Sequence, residues 1–323
     1  MNQRISVVVP CYNEESVIQE THKRLSLVMQ SVKFKFDYEL VYVNDGSKDN
    51  TIKILKSIAD NDGHVKVVNF SRNFGHQIAV TAGIDHADGD AVVLIDADLQ
   101  DPPELILEFI NKWEQGYNVV YAVRRKREGE TWFKKVTAKW FYRTLRSITD
   151  VEIPVDTGDF RLMGREVVEV LKSIKERHRF IRGLVSWVGF KQLGIEYDRA
   201  ERFAGETKYP LKKMVKFSLD AITSFSFVPL RIASFLGISS ASLGLLGIPI
   251  ALYLRIGTDI TLPGWTSLMI VVLFLGGMQL FILGIIGEYL GRVYDETRNR
   301  PLYIVQEVIT TKKCLEKVEV GVS

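Results

Sequence analysis

The sequence predicts an α/β protein: a mostly parallel sheet domain, then amphipathic helices, then a pair of long apolar helices. Three observations predict it. Short β-branched or aromatic runs alternate with helical stretches over the first 125 residues, the pattern of a parallel sheet covered on both faces. A polar cluster follows each run. Two charge-free segments near the C-terminus account for a mean hydropathy of +0.05 in a chain with 42 Lys/Arg and 39 Asp/Glu.

In order, Ile5–Val9, Tyr38–Val43, Val65–Phe70, Ala91–Asp96 and Asn118–Val123 read as strands. Glu15–Ser31, Thr51–Ala59, Gln77–Ala87 and Glu104–Trp113 read as the helices between them. From Arg124 to Arg146 there are nine basic and two acidic residues, with Trp132, Phe133, Val136, Trp140, Phe141 and Leu145 at helical spacing. Such a stretch suits the membrane interface, apolar face in lipid and cations among anionic headgroups. Residues 210–227 repeat it, with Lys212, Lys213 and Lys216 ahead of Phe217, Phe225 and Phe227. Interfacial helices are therefore expected at about 131–147 and 210–227, the alternative being solvated basic faces that pack their aromatics on the core.

Residues 232–254 and 264–287 are 23 and 24 residues without a charge. At 1.5 Å per residue each reaches about 35 Å as a helix, enough to cross a hydrocarbon core of about 30 Å. The short link between them makes an antiparallel hairpin. Lys212, Lys213, Lys216 and Arg231 precede it and Arg292, Arg298 and Arg300 follow. The positive-inside rule then puts both termini and the sheet domain in the cytoplasm of a multi-pass inner-membrane protein. Recurring glycines in both segments allow close helix packing, within the chain or between copies, and a homo-oligomer is expected. The expected organisation is a catalytic domain over 1–228, a membrane region over 229–290 and a cytoplasmic tail over 291–323.

Composition narrows the function. Hydrophobic residues at 46%, charged residues at 25%, 24 glycines and 9 prolines exclude a disordered or collagen-like chain. A net charge of +3 gives no reason to expect nucleic acid as a partner. Cys11 and Cys314 lie far apart and suggest neither a metal site nor a disulfide framework. Met1–Arg4 runs into an apolar stretch ended by Pro10, too short for a signal peptide.

The residues just past each strand are the first candidates for chemistry, because parallel sheets bind ligands beyond their carboxyl ends. Asp96-Ala97-Asp98 is the sharpest cluster. Side chains two apart in an extended strand share a face, so both carboxylates, with Gln100, face one point. Like charges that close call for a cation between them, and hard oxygens suit Mg²⁺ or Mn²⁺. A divalent ion beside a cationic cluster fits the leaving diphosphate of an activated nucleotide donor.

The ordered series Pro10-Cys-Tyr-Asn-Glu, Asn44-Asp-Gly-Ser, Arg72-Asn-Phe-Gly and Asp96-Ala-Asp-Leu-Gln-Asp-Pro resembles family 2 glycosyltransferases of the GT-A fold. With Thr157-Gly-Asp-Phe-Arg161, Arg177–Gly183, Gly205-Glu-Thr-Lys-Tyr209 and the apolar hairpin, it is most similar to the polyprenyl-phosphate glycosyltransferases, the group of bactoprenol glucosyltransferases and dolichol-phosphate mannosyltransferases. The resemblance covers residues 4–305.

It implies an enzyme that moves a sugar, with inversion, from a nucleotide sugar to a polyprenyl (undecaprenyl) phosphate. UDP-glucose is favoured as donor, with GDP-mannose and UDP-N-acetylglucosamine as alternatives; a non-enzymatic part of a lipid-linked sugar transport complex is the alternative of another class. Pro10, Tyr12, Glu14 and Asp45 would line the nucleobase and ribose pocket, and Asp96 and Arg124 would also contact the donor. Asp98, Gln100 and Asp96 would hold the metal. Asp159 aligns with the acid proposed as catalytic base, with Asp156 a second acid nearby. Arg161, Arg182 and Lys208, with Arg124, would neutralise phosphates. A lipid phosphate has a second pKa near ~6 and is mostly dianionic at neutral pH, so Asp159 is expected to orient groups rather than to remove a proton.

Overall fold

The five short runs become strands of one sheet in a computed structural model that describes residues 3–125, 157–177, 179–198, 228–257, 264–311 and 315–320. β1 (Arg4–Cys11), β2 (Asp37–Asn44), β3 (Val65–Phe70), β4 (Ala91–Leu94) and β5 (Val119–Arg124) alternate with α1 (Ile18–Val32), α2 (Thr51–Asn61), α3 (His76–Asp85) and α4 (Leu105–Glu114). β1 lies between β2 and β4, and β3 extends the sheet beyond β2, every pairing parallel.

Alternation along the strands assigns each side chain to one of two cores. Val7, Val9, Leu40 and Tyr42 pack with Ile18, Leu25, Leu55 and Phe109, beneath α1, α2 and α4. Val8, Val41 and Val43 pack with Ala79 and Val80 of α3 on the opposite face. Each buried Val, Leu, Ile or Phe contributes about 1.5–3 kcal/mol by leaving water, which is why these strands read as unbroken apolar runs. Gly83 lets α3 lie directly on β1, since a Cβ there would stand 2.1 Å from Val8 Cγ1.

The rest of the sheet departs from sequence order. β6 (Thr157–Gly164) enters between β4 and β5, antiparallel to both, and β7 (Gln192–Tyr197) runs parallel to β5 at the edge. At the other edge the segment expected to be a tail returns as β8 (Ile304–Thr310), antiparallel to β3, followed by β9 (Leu315–Val320). The order is β7-β5-β6-β4-β1-β2-β3-β8-β9. β8 covers what would be an open edge of β3. Val305 and Ile309 are buried there, and Glu307 pairs with Lys56 at 2.8 Å.

α5 (Arg165–Ser173) and α6 (Ile181–Trp187) follow β6, and α7 (Val228–Gly257) and α8 (Gly264–Thr297) contain the two charge-free segments and pack against each other. Among the described residues one stretch, Phe274–Thr297, is long and apolar enough to cross a membrane, and none of it is buried in the protein. The described apolar part of α7, Val228–Ser240, is shorter, so by length and composition the expected pair of spans is not confirmed. The stretches expected as interfacial helices, 131–147 and 210–227, lie outside the described residues.

Candidate functional site

The site forms where β1, β2, β3, β4 and β6 deliver polar residues to one rim. Pro10 is buried at the end of β1, paired in register with Val43, and Tyr12 and Glu14 follow it half-buried. Asn13 takes a left-handed φ of 54° and its side chain accepts from the Lys48 amide at 2.8 Å, which ties this turn to the one after β2. Gly46, at φ 61°, presses against the β3–α3 loop so closely that a Cβ would meet the Arg72 carbonyl carbon at 2.3 Å.

Asp45 is 3% exposed and accepts from the amides of Phe74 (2.6 Å) and Gly75 (3.0 Å) and from Asn73 Nδ2 (2.9 Å). Burial pushes its pKa up, against the pull of those amides. Its carboxylate thus braces the β3–α3 loop at the edge of the expected nucleotide pocket.

The acidic segment differs from expectation. β4 ends at Leu94, so Asp96–Gln100 is a turn and not an extended strand, with Leu99 at φ 57°. The three polar side chains still share a side, for another reason: Ile95, Ala97 and Leu99 are buried, which leaves Asp96, Asp98 and Gln100 half-exposed on the rim. Thr21 of α1 anchors the turn by donating to the Ala97 carbonyl at 2.7 Å. Burial, then repulsion from Asp159, Asp101 and Asp98, outweighs the pull of His76 and lifts Asp96 to about 6.

Insertion of β6 beside β4 brings Asp159, 5% exposed, to the same place. Its Oδ1 accepts from Arg182 Nε at 2.7 Å; its Oδ2 lies 2.9 Å from His76 Nε2 and accepts from Gln77 Nε2 at 3.4 Å. His76 Nε2 is also 3.7 Å from Asp96 Oδ1. Burial opposes the charge on Asp159, but Arg182 and His76 overcome it and hold the carboxyl well below its ordinary range. Burial likewise opposes protonation of His76, yet Asp159 and Asp96 raise it to about 9. The result is a fixed carboxylate between two cations.

Arg161 and Arg124 have other partners. Arg161, 4% exposed, donates to the carbonyls of Gly158 (3.0 Å) and Asp159 (3.3 Å), and burial lowers it to about 10. Its guanidinium holds β6 rather than standing open to a phosphate. Arg124 donates to Tyr197 Oη at 3.3 Å, and Tyr197 in turn donates to Asp101. Lys208 and Asp156 lie outside the described residues. Sequence reasoning missed His76 and Gln77, although the polar cluster after β3 ended one residue short of them.

No grouping of three or more His, Cys, Asp or Glu able to hold a metal occurs among the described residues. Asp96, Asp98 and Gln100 fit a hard cation all the same, because Mg²⁺ sites commonly take one or two carboxylates and complete the shell with substrate phosphates and water. After burial, repulsion from Asp159, Asp101 and Asp98 raises Asp96, and a cation at the turn would ease that repulsion.

The His76–Asp159 pair makes a stability prediction. A histidine raised from 6.5 to about 9 adds stability that is full below about 6.5 and lost as pH climbs through about 9. Asp159, depressed, adds stability that is lost only as pH falls through its lowered value. In thermal melts the wild type should lose Tm between pH 7 and 9.5 more steeply than His76→Gln, and equal slopes would remove the pair as the cause.

Residues 6–172 match the model of glycosyl transferase family 2. The chain is 61% identical over 302 residues to the uncharacterized glycosyltransferase YkcC of Bacillus subtilis (strain 168), covering 94% of this chain and 93% of that protein. It is 43% identical over 308 residues to the prophage bactoprenol glucosyl transferase homolog of Escherichia coli (strain K12), covering 94% and 99%. Among solved structures, glucosyl-3-phosphoglycerate synthase from Mycobacterium tuberculosis, in complex with Mn²⁺, UDP-glucose and phosphoglyceric acid, is 22% identical with a TM-score of 0.45, covering 68% of this chain and 78% of that one.

Proposed function

The chain belongs to glycosyl transferase family 2, and from that we propose that it transfers glucose, with inversion, from UDP-glucose to a polyprenyl phosphate at the cytoplasmic face of a membrane. The observation that carries the reading is the Asp159 carboxylate holding Arg182 and His76 at the sheet rim beside Asp96. Two fixed cations where a parallel sheet binds its ligands suit a reaction whose acceptor and leaving group are both phosphates. The name of the Escherichia coli relative supports glucose and bactoprenol.

In the step itself a phosphate oxygen of the acceptor attacks the anomeric carbon, and the bond to the diphosphate breaks with its electron pair leaving on UDP. The acceptor is mostly dianionic at pH 7, with a second pKa near ~6, so no proton has to be removed. Asp159, ionised and doubly hydrogen-bonded, positions Arg182 and His76 instead of acting as a base. Arg182, with Arg124 and Lys208, screens the phosphates, while Arg161 keeps β6 in place. Pro10, Tyr12 and Glu14 line the base and ribose, and Asp45 holds the loop beside them. Asp98, with Asp96 and Gln100, would hold Mg²⁺ or Mn²⁺, which when bound neutralises charge on the diphosphate.

In this reading α7 and α8 both cross the membrane, 131–147 and 210–227 lie at its surface, both ends are cytoplasmic, and copies of the chain assemble. The pairing of β8 with β3 supports the even number of crossings. β8 follows α8 and β3 precedes α7, so a single crossing would leave the two strands on opposite sides of the bilayer.

Purified full-length protein with undecaprenyl phosphate and radiolabelled UDP-glucose, UDP-N-acetylglucosamine or GDP-mannose tests it. Label should pass to the lipid from UDP-glucose. Lipid labelling from another donor would change the sugar, and no lipid labelling from any donor would overturn the acceptor.

A further inference from the structure

The β3–α3 loop has two working sides. One holds Asp45 through Asn73, Phe74 and Gly75. On the other, Arg72 and Phe74 wall a cleft of about 330 Å³ that is closed by Arg177 and by the chain leaving α8, Arg298 to Leu302. None of the residues assigned above to donor, metal or acceptor lines this cleft.

Its chemistry is that of a phosphate site. Arg72, Arg177, Arg298 and Arg300 converge on it, with Asp295 the one carboxylate in its wall. Arg72 stacks on Phe74 at 4.1 Å and Arg298 on Tyr294 at 5.0 Å, while Arg177 donates to the Arg300 carbonyl. Among the described residues none of these four guanidiniums forms an ion pair with a carboxylate; Arg72 donates to the Asn73 carbonyl, and Glu296 accepts from the Arg177 amide at 2.8 Å, so four cations face two nearby carboxylates. Arginine forks suit phosphate oxygens.

The setting selects the phosphate's source. The cleft lies at the C-terminal end of Phe274–Thr297, the stretch able to cross a membrane, and takes Asp295 from its last turn. Leu290, Val293 and Tyr294 lead toward it along α8 with their side chains exposed. A phosphate seated among the arginines therefore has an apolar track beside it, and basic pockets at the ends of membrane helices are where anionic headgroups bind.

We propose that this cleft binds the phosphate of an anionic phospholipid headgroup, against the outer side of the loop that braces Asp45. The proposal rests on the reading above only in taking α8 to lie in a membrane; it requires no sugar transfer.

The test uses full-length protein in a neutral detergent and three probes: dioctanoyl phosphatidylglycerol, dioctanoyl phosphatidylcholine and inorganic phosphate. Binding is followed by native mass spectrometry and located by hydrogen exchange. Phosphatidylglycerol should bind at least about tenfold tighter than the other two and slow exchange in 72–78 and 298–302. Each arginine near an anionic lipid surface is worth about fivefold in affinity, so Arg72→Gln with Arg298→Gln should weaken phosphatidylglycerol about thirtyfold. Arg72→Lys with Arg298→Lys should recover much of that loss, which separates lost charge from lost fold. Unchanged affinity in the glutamine variant, equal binding of phosphatidylcholine, or protection confined to 274–293 overturns the site. Inorganic phosphate binding as tightly as the lipid would make it a free-anion site and overturn the lipid assignment. Sugar transfer is assayed separately: its absence with lipid binding intact would remove the proposed reaction and leave this cleft standing.

Discussion

Asp98→Ala should reduce sugar transfer by at least about 10²–10³-fold, the scale on which one electrostatic stabiliser of a transition state is felt, while the protein stays folded. Asp98 is half-exposed on the acidic turn, and its Oδ1 accepts from the Gln100 amide at 3.2 Å. Exposed substitutions of this kind usually change stability by less than about 0.5 kcal/mol, so the Tm should hardly move. EDTA should reproduce the loss in the wild type, and Mn²⁺ or Mg²⁺ should restore the wild type but not the variant. Full activity of the variant in a chelated assay would refute Asp98 as a metal ligand.

Asp159→Asn should behave differently, because its carboxylate is an organiser. The variant should keep measurable turnover that rises between about pH 5 and 7, following loss of the acceptor's second proton near ~6. Residue 159 cannot set that limb, being an amide in the variant and held ionised well below the ordinary carboxylate range in the wild type; Asp96, lifted to about 6, titrates in the same window, so the limb is assigned to the acceptor only if it persists in Asp96→Asn. Donor affinity should change little, since Asp159 is on β6 and not on the strands that carry the nucleotide residues. Stability should fall, because the variant leaves Arg182 and His76 without the carboxylate between them. Breaking a buried pair costs about 3–5 kcal/mol, and the partial exposure of both cations puts this case at or below the lower end. A folded variant that binds donor normally yet shows no turnover from pH 5 to 8 would restore Asp159 as the base.

Much of this site was legible in one dimension because parallel sheets place function after strand ends. Asp45, Asp96, Asp98 and Asp159 were all found that way or by resemblance, and all lie at or beside the rim. The roles separated only in three dimensions. Arg161 and Arg182 look alike in sequence, but one is turned into the β6 backbone and the other onto Asp159. His76 stands as the first residue of α3, with no motif of its own. Its importance comes from β6, a strand some eighty residues later, arriving next to β4.

What the sequence by itself determined is therefore local: β1 to β5 and the helices between them, since buried parallel strands must be apolar over their whole length and a helix over such a sheet must repeat every 3.6 residues. It also determined two charge-free segments, each the centre of a long helix, and the polar content of each strand end. The tertiary structure decided what depends on partners distant in the chain. Residues 304–310 form a strand by pairing with β3, and Gln306 and Glu307 interrupt the apolar run that marks the other strands in sequence. The acidic turn presents Asp96, Asp98 and Gln100 together because Ile95, Ala97 and Leu99 are drawn into the core, not because the backbone is extended. And Asp159 is held ionised well below the ordinary carboxylate range because Arg182 and His76, from two other elements, close on it at 2.7 and 2.9 Å. Hydrogen bonds and charge act over distances that folding alone sets, so no spacing along the chain contains them.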